Sequence, residues 1–284
     1  VMMKIAIGKA FPKYFDALYP EEFELFSHFE VTAGIPSVLF AITTWKDNGK
    51  PNVCFHAWSS FHGDKTAFFA VMGNLYQHTH TYANIQREKC FCINFLPISD
   101  YDRLVDTIHQ NEMETDEFEA GGFGLSEAKT IHAPVIQEAF IQMECTLRSI
   151  QDLSGAGITS MVIGEVQHIA VDQEYAQGYE KRYGKDGFMM LVPAPQDLVT
   201  GKPNQSAIAT VNIEKYDSIE SLGNILNNAL TRWEKIYGDE PSEASFSLRF
   251  AGIIRRAHEL TGQRVVILVD EYDKPMLQAI GNEE

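Results

Sequence analysis

The chain has 284 residues, of which 45% are hydrophobic and 22% are charged, as in an ordinary globular protein. Its formal net charge of -16 argues against the basic face that nucleic-acid phosphates or an anionic membrane surface require. The length allows one large domain, or one domain with a smaller second part. The four cysteines have neither zinc-ribbon nor redox C-x-x-C spacing, so we expect reduced, structural thiols.

The start of the chain shows no leader pattern. Residues 1–11 lack a continuous apolar core and a small-residue cleavage site. The longest apolar runs, such as Val265–Val269, are too short to span a bilayer. From these features we expect a cytoplasmic protein that does not engage a membrane.

The first two-thirds of the chain predict strands with few long helices between them. An aromatic lead-in extends to Phe29, and the Asn48-Gly49 pair indicates a hairpin turn. A short helix is predicted over His80–Lys89 with Thr79 as its N-cap, and Asp100–Thr130 is acidic and helical in character. The predicted strands are Ser37–Thr44, Pro51–Ala57, Thr66–Val71, Cys90–Phe95, Ala139–Ile150 and Ser160–Val171. This order favours a β-barrel over a doubly wound sheet.

The character of the sequence changes near residue 205. Pro193–Gln205 is rich in Pro, Gly and Gln, as in a linker. Beyond it, Ser218–Lys235 and Phe246–Leu260 are predicted helices, and Val265–Glu271 is a predicted buried strand that ends in two acids. The predicted domains are therefore residues 1–205 and 206–284.

Two short segments carry the candidate chemistry. Ala57-Trp58-Ser59-Ser60-Phe61 is a small-residue loop whose backbone N–H groups can approach a planar ring. His78-Thr79-His80-Thr81 is a hydroxyl-rich turn that opens the predicted helix, which suits a phosphate. Simpler interpretations remain open: Trp58 as a core aromatic residue and the serines as turn residues. Two histidines without a third ligand make a poor metal site, and we predict no metal.

Residues from about Gly34 to Lys202 resemble the flavin reductase family with the FMN-binding split barrel, including its flavoredoxin-like members. The motifs that carry the resemblance are Pro36–Leu39, Gly49–Val53, Ala57–Ser60, His80–Ile85, Ile93–Phe95 and Ile163–Val166. The resemblance implies a mainly β (α+β) fold, a split β-barrel with peripheral helices. It also implies a homodimer that binds FMN at the subunit boundary.

The same resemblance implies roles for individual residues. The loop around Trp58 would bind the isoalloxazine edge, the turn at His78–Thr81 would hold the ribityl phosphate, and Asn84 would brace that turn. Because the flavin itself carries the redox chemistry, no catalytic acid or base is predicted. The predicted cofactor-binding residues are Ala57, Trp58, Ser59, Ser60, Phe61, His78, Thr79, His80, Thr81, Asn84 and Asn94. For Asn94, a bond to the neighbouring backbone is the simpler interpretation.

The chain departs from the family pattern at one place. Many flavin reductases carry Gly-Asp-His before the strand that here begins at Ser160, whereas Asp152–Ile158 contains no histidine. That histidine is associated with the nicotinamide side of the site. NAD(P)H is therefore one candidate electron donor, and a protein or small-molecule redox partner is the other. A flavin-binding electron carrier without turnover of its own is the alternative function. A pyridoxamine-phosphate-oxidase-type barrel is a further option, but the chain lacks its Arg/Lys cluster.

The C-terminal part resembles the bacterial AAA-ATPase-like proteins of the P-loop class. Tyr216–Ser221 and Val265–Pro275 carry this resemblance. It implies a Walker B strand in which Asp270 would hold Mg²⁺ and Glu271 would polarise the attacking water. No G-x-x-x-x-G-K-[ST] sequence occurs in the chain, so we predict an α/β fragment with inert acids and without ATPase activity. The alternative from this class is a regulatory fragment derived from a P-loop ATPase.

Overall fold

The computed structural model describes residues 4–10, 15–177, 181–193, 196–211 and 219–265. The chain divides into two compact units, Val1–Ile213 and Glu214–Glu284. Strands dominate the first unit, and the described part of the second consists of two helices. The predicted acids Asp270 and Glu271 lie outside the described residues, as does the predicted strand after Val265.

The strands of the first unit vary from two to thirteen residues in length. They are β1 Ser37–Val38, β2 Phe40–Trp45, β3 Pro51–His56, β4 Ser59–Gly63, β5 Phe68–Tyr76, β6 Cys90–Phe95, β7 Leu125–Glu127, β8 Pro134–Ile136, β9 Ile141–Gln151, β10 Thr159–Val171, β11 Met189–Val192 and β12 Ala207–Thr210. Seven of them form one sheet in the order β3-β2-β6-β9-β10-β5-β4. Every neighbouring pair in this sheet is antiparallel.

Helices flank this sheet and make up the described part of the second unit. They are α1 Glu22–Leu25, α2 His28–Ala33, α3 His80–Glu88, α4 Tyr101–His109, α5 Glu117–Gly121, α6 Gln173–Ala176, α7 Ile219–Tyr237 and α8 Phe246–Thr261, with a 3₁₀ turn at Ile98–Asp100. The acidic region predicted as helical contains α4 and α5, but it ends in β7. The predicted helices of the C-terminal part correspond to α7 and α8.

The two edge strands of the large sheet are neighbours in the chain. β3 ends at His56 and β4 begins at Ser59, so only Ala57 and Trp58 connect the opposite edges. Trp58 has a φ of 56°, which is uncommon for a residue with a side chain. Its carbonyl accepts the N–H of Gly73 at 2.8 Å, and a Cβ at Gly73 would lie 2.9 Å from this oxygen. The sheet is therefore curled, and the connection Ala57-Trp58 joins its two edge strands.

Apolar side chains cover both faces of the curled sheet. Phe40, Phe91 and Phe140 are fully or almost fully buried in one cluster. On the other face, Leu104 and Phe118 bring α4 and α5 against the strands. Burial of a large apolar side chain contributes about 1.5–3 kcal/mol, so these clusters fix the curvature of the sheet.

Two segments differ from the sequence-based expectations. Ser59–Gly63, expected as a loop around Trp58–Phe61, forms an edge strand paired with Phe68–Met72. Its sequence, SSFHG, has too little alternation of apolar and polar residues to predict a strand. The strand β12 pairs with β11 and lies beyond residue 205, so the first unit includes residues that the sequence analysis assigns to the second domain.

Candidate functional site

The hydroxyl-rich turn lies at the N-terminus of α3. The Thr79 hydroxyl accepts the N–H of Tyr82 at 3.3 Å, so Thr79 is the N-cap, as predicted. The N–H groups of His80 and Thr81 precede the first intrahelical hydrogen bonds. Together with the positive end of the helix dipole, they can bind an anion.

This turn faces a cavity of about 450 Å³, called here the turn cavity. The cavity lies between β3, the end of β5, the turn, and the segment that includes α4 and the start of α5. It is lined by Asn52, Val53, Cys54, Phe55, Tyr76, His78, Thr79, His80, Thr81, Thr107, Ile108, Asn111 and Glu117. All four predicted residues of the turn therefore contribute to one cavity.

The Thr81 side chain is positioned by β3. Asn52 donates from its amide nitrogen to Thr81 Oγ1 at 2.9 Å, and Thr81 is only 2% exposed. The Thr81 hydroxyl also bonds the neighbouring Cys54 thiol, which acts to lower the pKa of that thiol. Burial outweighs this bond and raises the pKa of Cys54 to about 11, so the thiol stays neutral.

A buried ion pair supports one wall of the turn cavity. Lys46 Nζ lies 2.7 Å from Glu117 Oε1 and also donates to the carbonyls of Glu112 (2.8 Å) and Thr115 (2.9 Å). Glu117 accepts the N–H of Val53 at 2.5 Å. These bonds attach the segment 112–117 to β2 and β3. Burial raises the pKa of Glu117 despite its contact with Lys46.

The residues around Trp58 line a second cavity of about 430 Å³, called here the loop cavity. Ser37 accepts the N–H of Trp58 at 2.8 Å, and the Ser59 hydroxyl donates to the carbonyl of Ala57 at 3.0 Å. The cavity is lined by Glu30, Ile35, Pro36, Ser37, Trp58, Ser59, Ser60, Val71, Gly73, Asn74 and Met161. The two cavities share β5 but no lining residue.

Four of the predicted site residues line neither cavity. Ala57 lines a smaller cavity of about 250 Å³ beside Trp58. Phe61 packs in the core against Phe40 and Phe95, with ring centroids 5.5 Å and 5.4 Å apart. The other two, Asn84 and Asn94, are buried amides.

The two buried amides join elements of the scaffold. Asn84 donates to Thr44 Oγ1 at 3.0 Å and thereby attaches α3 to β2. Asn94 donates to Thr43 Oγ1 at 2.9 Å and accepts the N–H of Ile136 at 3.1 Å. The structure therefore gives Asn94 bonds to neighbouring strands, the simpler of its two interpretations, and direct contact with a cofactor stays a prediction.

Several residues at the turn cavity were not singled out from the sequence. Asn52 belongs to the Gly49–Val53 motif, which was a usable signal. Tyr76, Asn111 and Glu117 are distant from any motif, and only the fold brings them to the turn. The sequence did not indicate a role for Lys46 at this cavity, because the residue belongs to the predicted hairpin turn.

The segment that lacks the family histidine is a hairpin loop close to the turn. Asp152 accepts the N–H groups of Gly155 and Gly157, both at 2.8 Å. These bonds lower the pKa of its carboxyl. Gln77, next to His78, donates to Ser160 Oγ at 3.0 Å and to Asp152 at 3.2 Å. The loop between β9 and β10 is thus attached to the turn through Gln77.

In the described part of the chain, no group of three or more His, Cys, Asp or Glu side chains could hold a metal ion. None of the helices described combines the length and the apolar character that crossing a membrane requires.

Residues 32–185 match the family model of the flavin reductase like domain. The chain belongs to the flavin reductase-like family. This is a family of flavin-binding oxidoreductases, and the resemblance given by the sequence motifs is confirmed. Residues 198–284 match a second model, described as a predicted AAA-ATPase, which agrees with the resemblance of the C-terminal part.

Solved structures of this family share the fold. A split-barrel protein of the flavin reductase type from Shewanella frigidimarina has a TM-score of 0.55 and 19% identity, covering 70% of this chain and 97% of that one. The flavoredoxin of Methanosarcina acetivorans has a TM-score of 0.52 and 15% identity, covering 79% of this chain and all of that one (100%). The predicted split-barrel fold is confirmed.

One curated relative matches a short stretch of the chain. An uncharacterized protein from the vnfD 5' region of Azotobacter chroococcum mcd 1 is 44% identical over 55 residues. The match covers 19% of this chain and 11% of that protein, so the chain spans about a tenth of the relative's length.

The residues present fit a flavin. The turn cavity offers hydroxyls and helix N–H groups, the donors that a phosphate needs. At the loop cavity, β4 is an edge strand, so half of its backbone groups are unpaired within the sheet and can bond the edge of a ring. Trp58, Val71 and Met161 supply apolar surface for the faces of a planar group.

Proposed function

We propose that this chain binds FMN and acts as a flavin-dependent oxidoreductase of the flavin reductase or flavoredoxin type. The phosphate lies at His78–Thr81, and the ring lies along Trp58–Ser60. The observation that carries the proposal is the capped N-terminus of α3, whose free N–H groups face the turn cavity beside the loop cavity. When bound, the flavin supplies the electron-transfer chemistry.

The chain's own residues bind and orient the cofactor. Thr81 donates its hydroxyl proton to the phosphate, while Asn52 holds its oxygen. Burial, and then the charge of Lys46, lower the pKa of His80, so this ring binds the phosphate as a neutral N–H donor. The Lys46 charge is balanced by Glu117, so the helix dipole supplies the remaining attraction.

The absorption spectrum of the purified protein tests flavin binding. We expect the bands of oxidised flavin, and FMN as the chromophore released on heating. A colourless protein that takes up no added FMN would refute the proposal.

Anaerobic titration with NADH and NADPH then separates a reductase from an electron carrier, the second candidate function. The absence of the family histidine from Asp152–Ile158 favours a carrier.

Two matched variants test whether the turn at His78–Thr81 binds the phosphate. Thr81→Val removes the hydroxyl that Asn52 positions, at similar size, and we expect FMN affinity to fall about tenfold or more, the value of a hydrogen bond to a charged group. Thr107→Val, in the same cavity, removes a hydroxyl that already donates to Leu104 at 2.7 Å, and should leave FMN affinity unchanged. Riboflavin, which lacks the phosphate, should bind both variants equally.

We also propose a homodimer that completes the flavin site at the subunit boundary, as the family resemblance implies. Sedimentation of the flavin-loaded protein tests this, and a flavin-loaded monomer would contradict it.

The C-terminal part is proposed to hydrolyse no ATP, since no Walker A sequence accompanies Asp270 and Glu271. Phosphate release above background from ATP with Mg²⁺ would contradict that proposal.

A further inference from the structure

A carboxylate from outside the family domain reaches the candidate flavin site. Glu30 lies in α2, before residue 32, where the match to the flavin reductase model begins. Its side chain lines the loop cavity together with Trp58 and Ser60. Glu30 therefore brings a carboxylate to the site from the segment that precedes the matched region.

Two hydrogen bonds hold this carboxylate in place. Glu30 Oε2 accepts the N–H of Ser27 at 3.1 Å, as part of the capping box at the start of α2. Glu30 Oε1 accepts from the amide of Asn74 at 2.7 Å. Asn74 lies in β5 with a φ of 52°, a left-handed conformation that asparagine tolerates better than most residues. The carboxylate is thus fixed beside β5.

Within the described part of the chain, no lysine or arginine forms an ion pair with Glu30. Its effect extends to Tyr76, whose pKa is raised to about 12 by burial, then by Tyr19 and by Glu30. Tyr76 lines the turn cavity, so one carboxylate acts on both cavities.

We infer that Glu30 lowers the reduction potential of the flavin bound at this site and makes the reduced cofactor a stronger electron donor. The inference rests on the proposed function. Conversion of the oxidised ring to its anionic reduced form takes up two electrons and one proton, so the ring gains one negative charge. A fixed carboxylate in a half-buried cavity repels this charge and has little effect on the neutral oxidised ring. It therefore weakens the binding of reduced FMN relative to oxidised FMN.

The variant Glu30→Gln tests the charge alone. The single oxygen of glutamine can accept the N–H of Ser27 and preserve the capping box, and its amide nitrogen can donate to Asn74 Oδ1 once the Asn74 amide turns over. Glu24→Gln removes an exposed carboxylate of the same lead-in and serves as the matched control. The potential is measured by anaerobic titration with dithionite, which supplies the electrons and is oxidised to bisulfite, in the presence of a reference dye. The Kd of oxidised FMN is measured separately by fluorescence quenching.

In Glu30→Gln we expect reduced FMN to bind about tenfold more tightly relative to oxidised FMN, a rise in potential of about 30 mV for a two-electron couple. The Kd of oxidised FMN and the potential of Glu24→Gln should stay at the wild-type values. Equal potentials in all three proteins would overturn the inference, as would a parallel change in both Kd values, which indicates a structural role. If the wild-type protein takes up no FMN, the proposed function itself fails, and the inference fails with it.

Discussion

The two units of the chain are stabilised in different ways. The first unit buries Phe40, Phe91 and Phe140 almost completely around one curled sheet. In the described part of the second unit, large apolar side chains remain exposed, among them Ile236 (62%) and Leu260 (72%). There, Arg249 of α8 pairs with Glu234 of α7 at 2.6 Å, and Arg256 of α8 pairs with a glutamate of the intervening loop. Extensive burial of apolar side chains is a stronger source of stability than a few ion pairs, so the candidate site rests on the more stable unit.

The largest expected effect comes from the core of the first unit. Phe91→Ala removes a fully buried ring packed against Gly164, and should lower the free energy of unfolding by about 3–5 kcal/mol. Phe246→Ala, in α8, removes a ring that is 41% exposed and should cost less than about 1 kcal/mol. Urea unfolding followed by circular dichroism measures both. Similar costs for the two variants would contradict the contrast between the units.

A nearly equal effect is expected at the buried ion pair. Lys46→Met leaves the Glu117 carboxylate buried without a counter-charge and should cost about 3–5 kcal/mol, with loss of the cavity wall formed by 112–117. The double variant Lys46→Met/Glu117→Gln removes both charges and should recover much of this stability. If the single and double variants unfold at the same urea concentration, the charge pair is not the source of the cost.

A smaller effect, dependent on pH, is expected from His56. Burial lowers the pKa of this histidine from 6.5 to about 4, so the folded state favours the neutral ring. Its contribution to stability is present above pH 6.5 and is lost as the pH falls from 6.5 towards 4, by at most about 1.4 kcal/mol per pH unit. His56→Phe should flatten the stability of the first unit in this window. An unchanged slope in the variant would show that another group titrates.

The smallest effect is expected at an ion pair of the second unit. Arg249→Ala removes bonds to Glu234, Asn227 and Thr231, and the side chains of Arg249 and Glu234 are 18% and 13% exposed. We expect a small decrease in the thermal midpoint of the second unit, which 1 M NaCl reduces but does not abolish, because salt screens a partly buried pair less than an exposed one. A large decrease that persists in high salt would make this pair a core element of the helical unit.

Motifs and local patterns predicted much of the first unit. The Asn48-Gly49 turn and the Thr79 cap follow from hydrogen bonds between residues near in sequence, and the long strands follow from their runs of β-branched and apolar residues. The edge strand β4 was missed because its register depends on its partner β5 and not on its own pattern. The arrangement of strands came from the family resemblance, since local pattern alone gives only the class of fold.

The candidate site was predicted less completely than the fold. The turn and the residues after Ala57 could be found because each is a compact motif. Glu30 and Glu117 could not, because they come from segments about 30 and 40 residues away along the chain from the motifs they approach. A capped helix brings Glu30 to the loop cavity, and a buried ion pair holds Glu117 at the turn cavity. Such contacts depend on tertiary packing, which no short window of sequence encodes.

The short connection between the edges of the sheet also has a consequence for the order of folding. The hairpins β2–β3 and β4–β5 each form from contacts close in sequence, and only Ala57 and Trp58 separate them. Local hairpins form within microseconds, whereas the pairing of β10 with β5 must first close a loop of more than 80 residues. We expect residues 40–76 to acquire structure early, with the later hairpin β9–β10 completing the barrel. The backbone proposed to contact the flavin ring would then be shaped before the barrel that surrounds it.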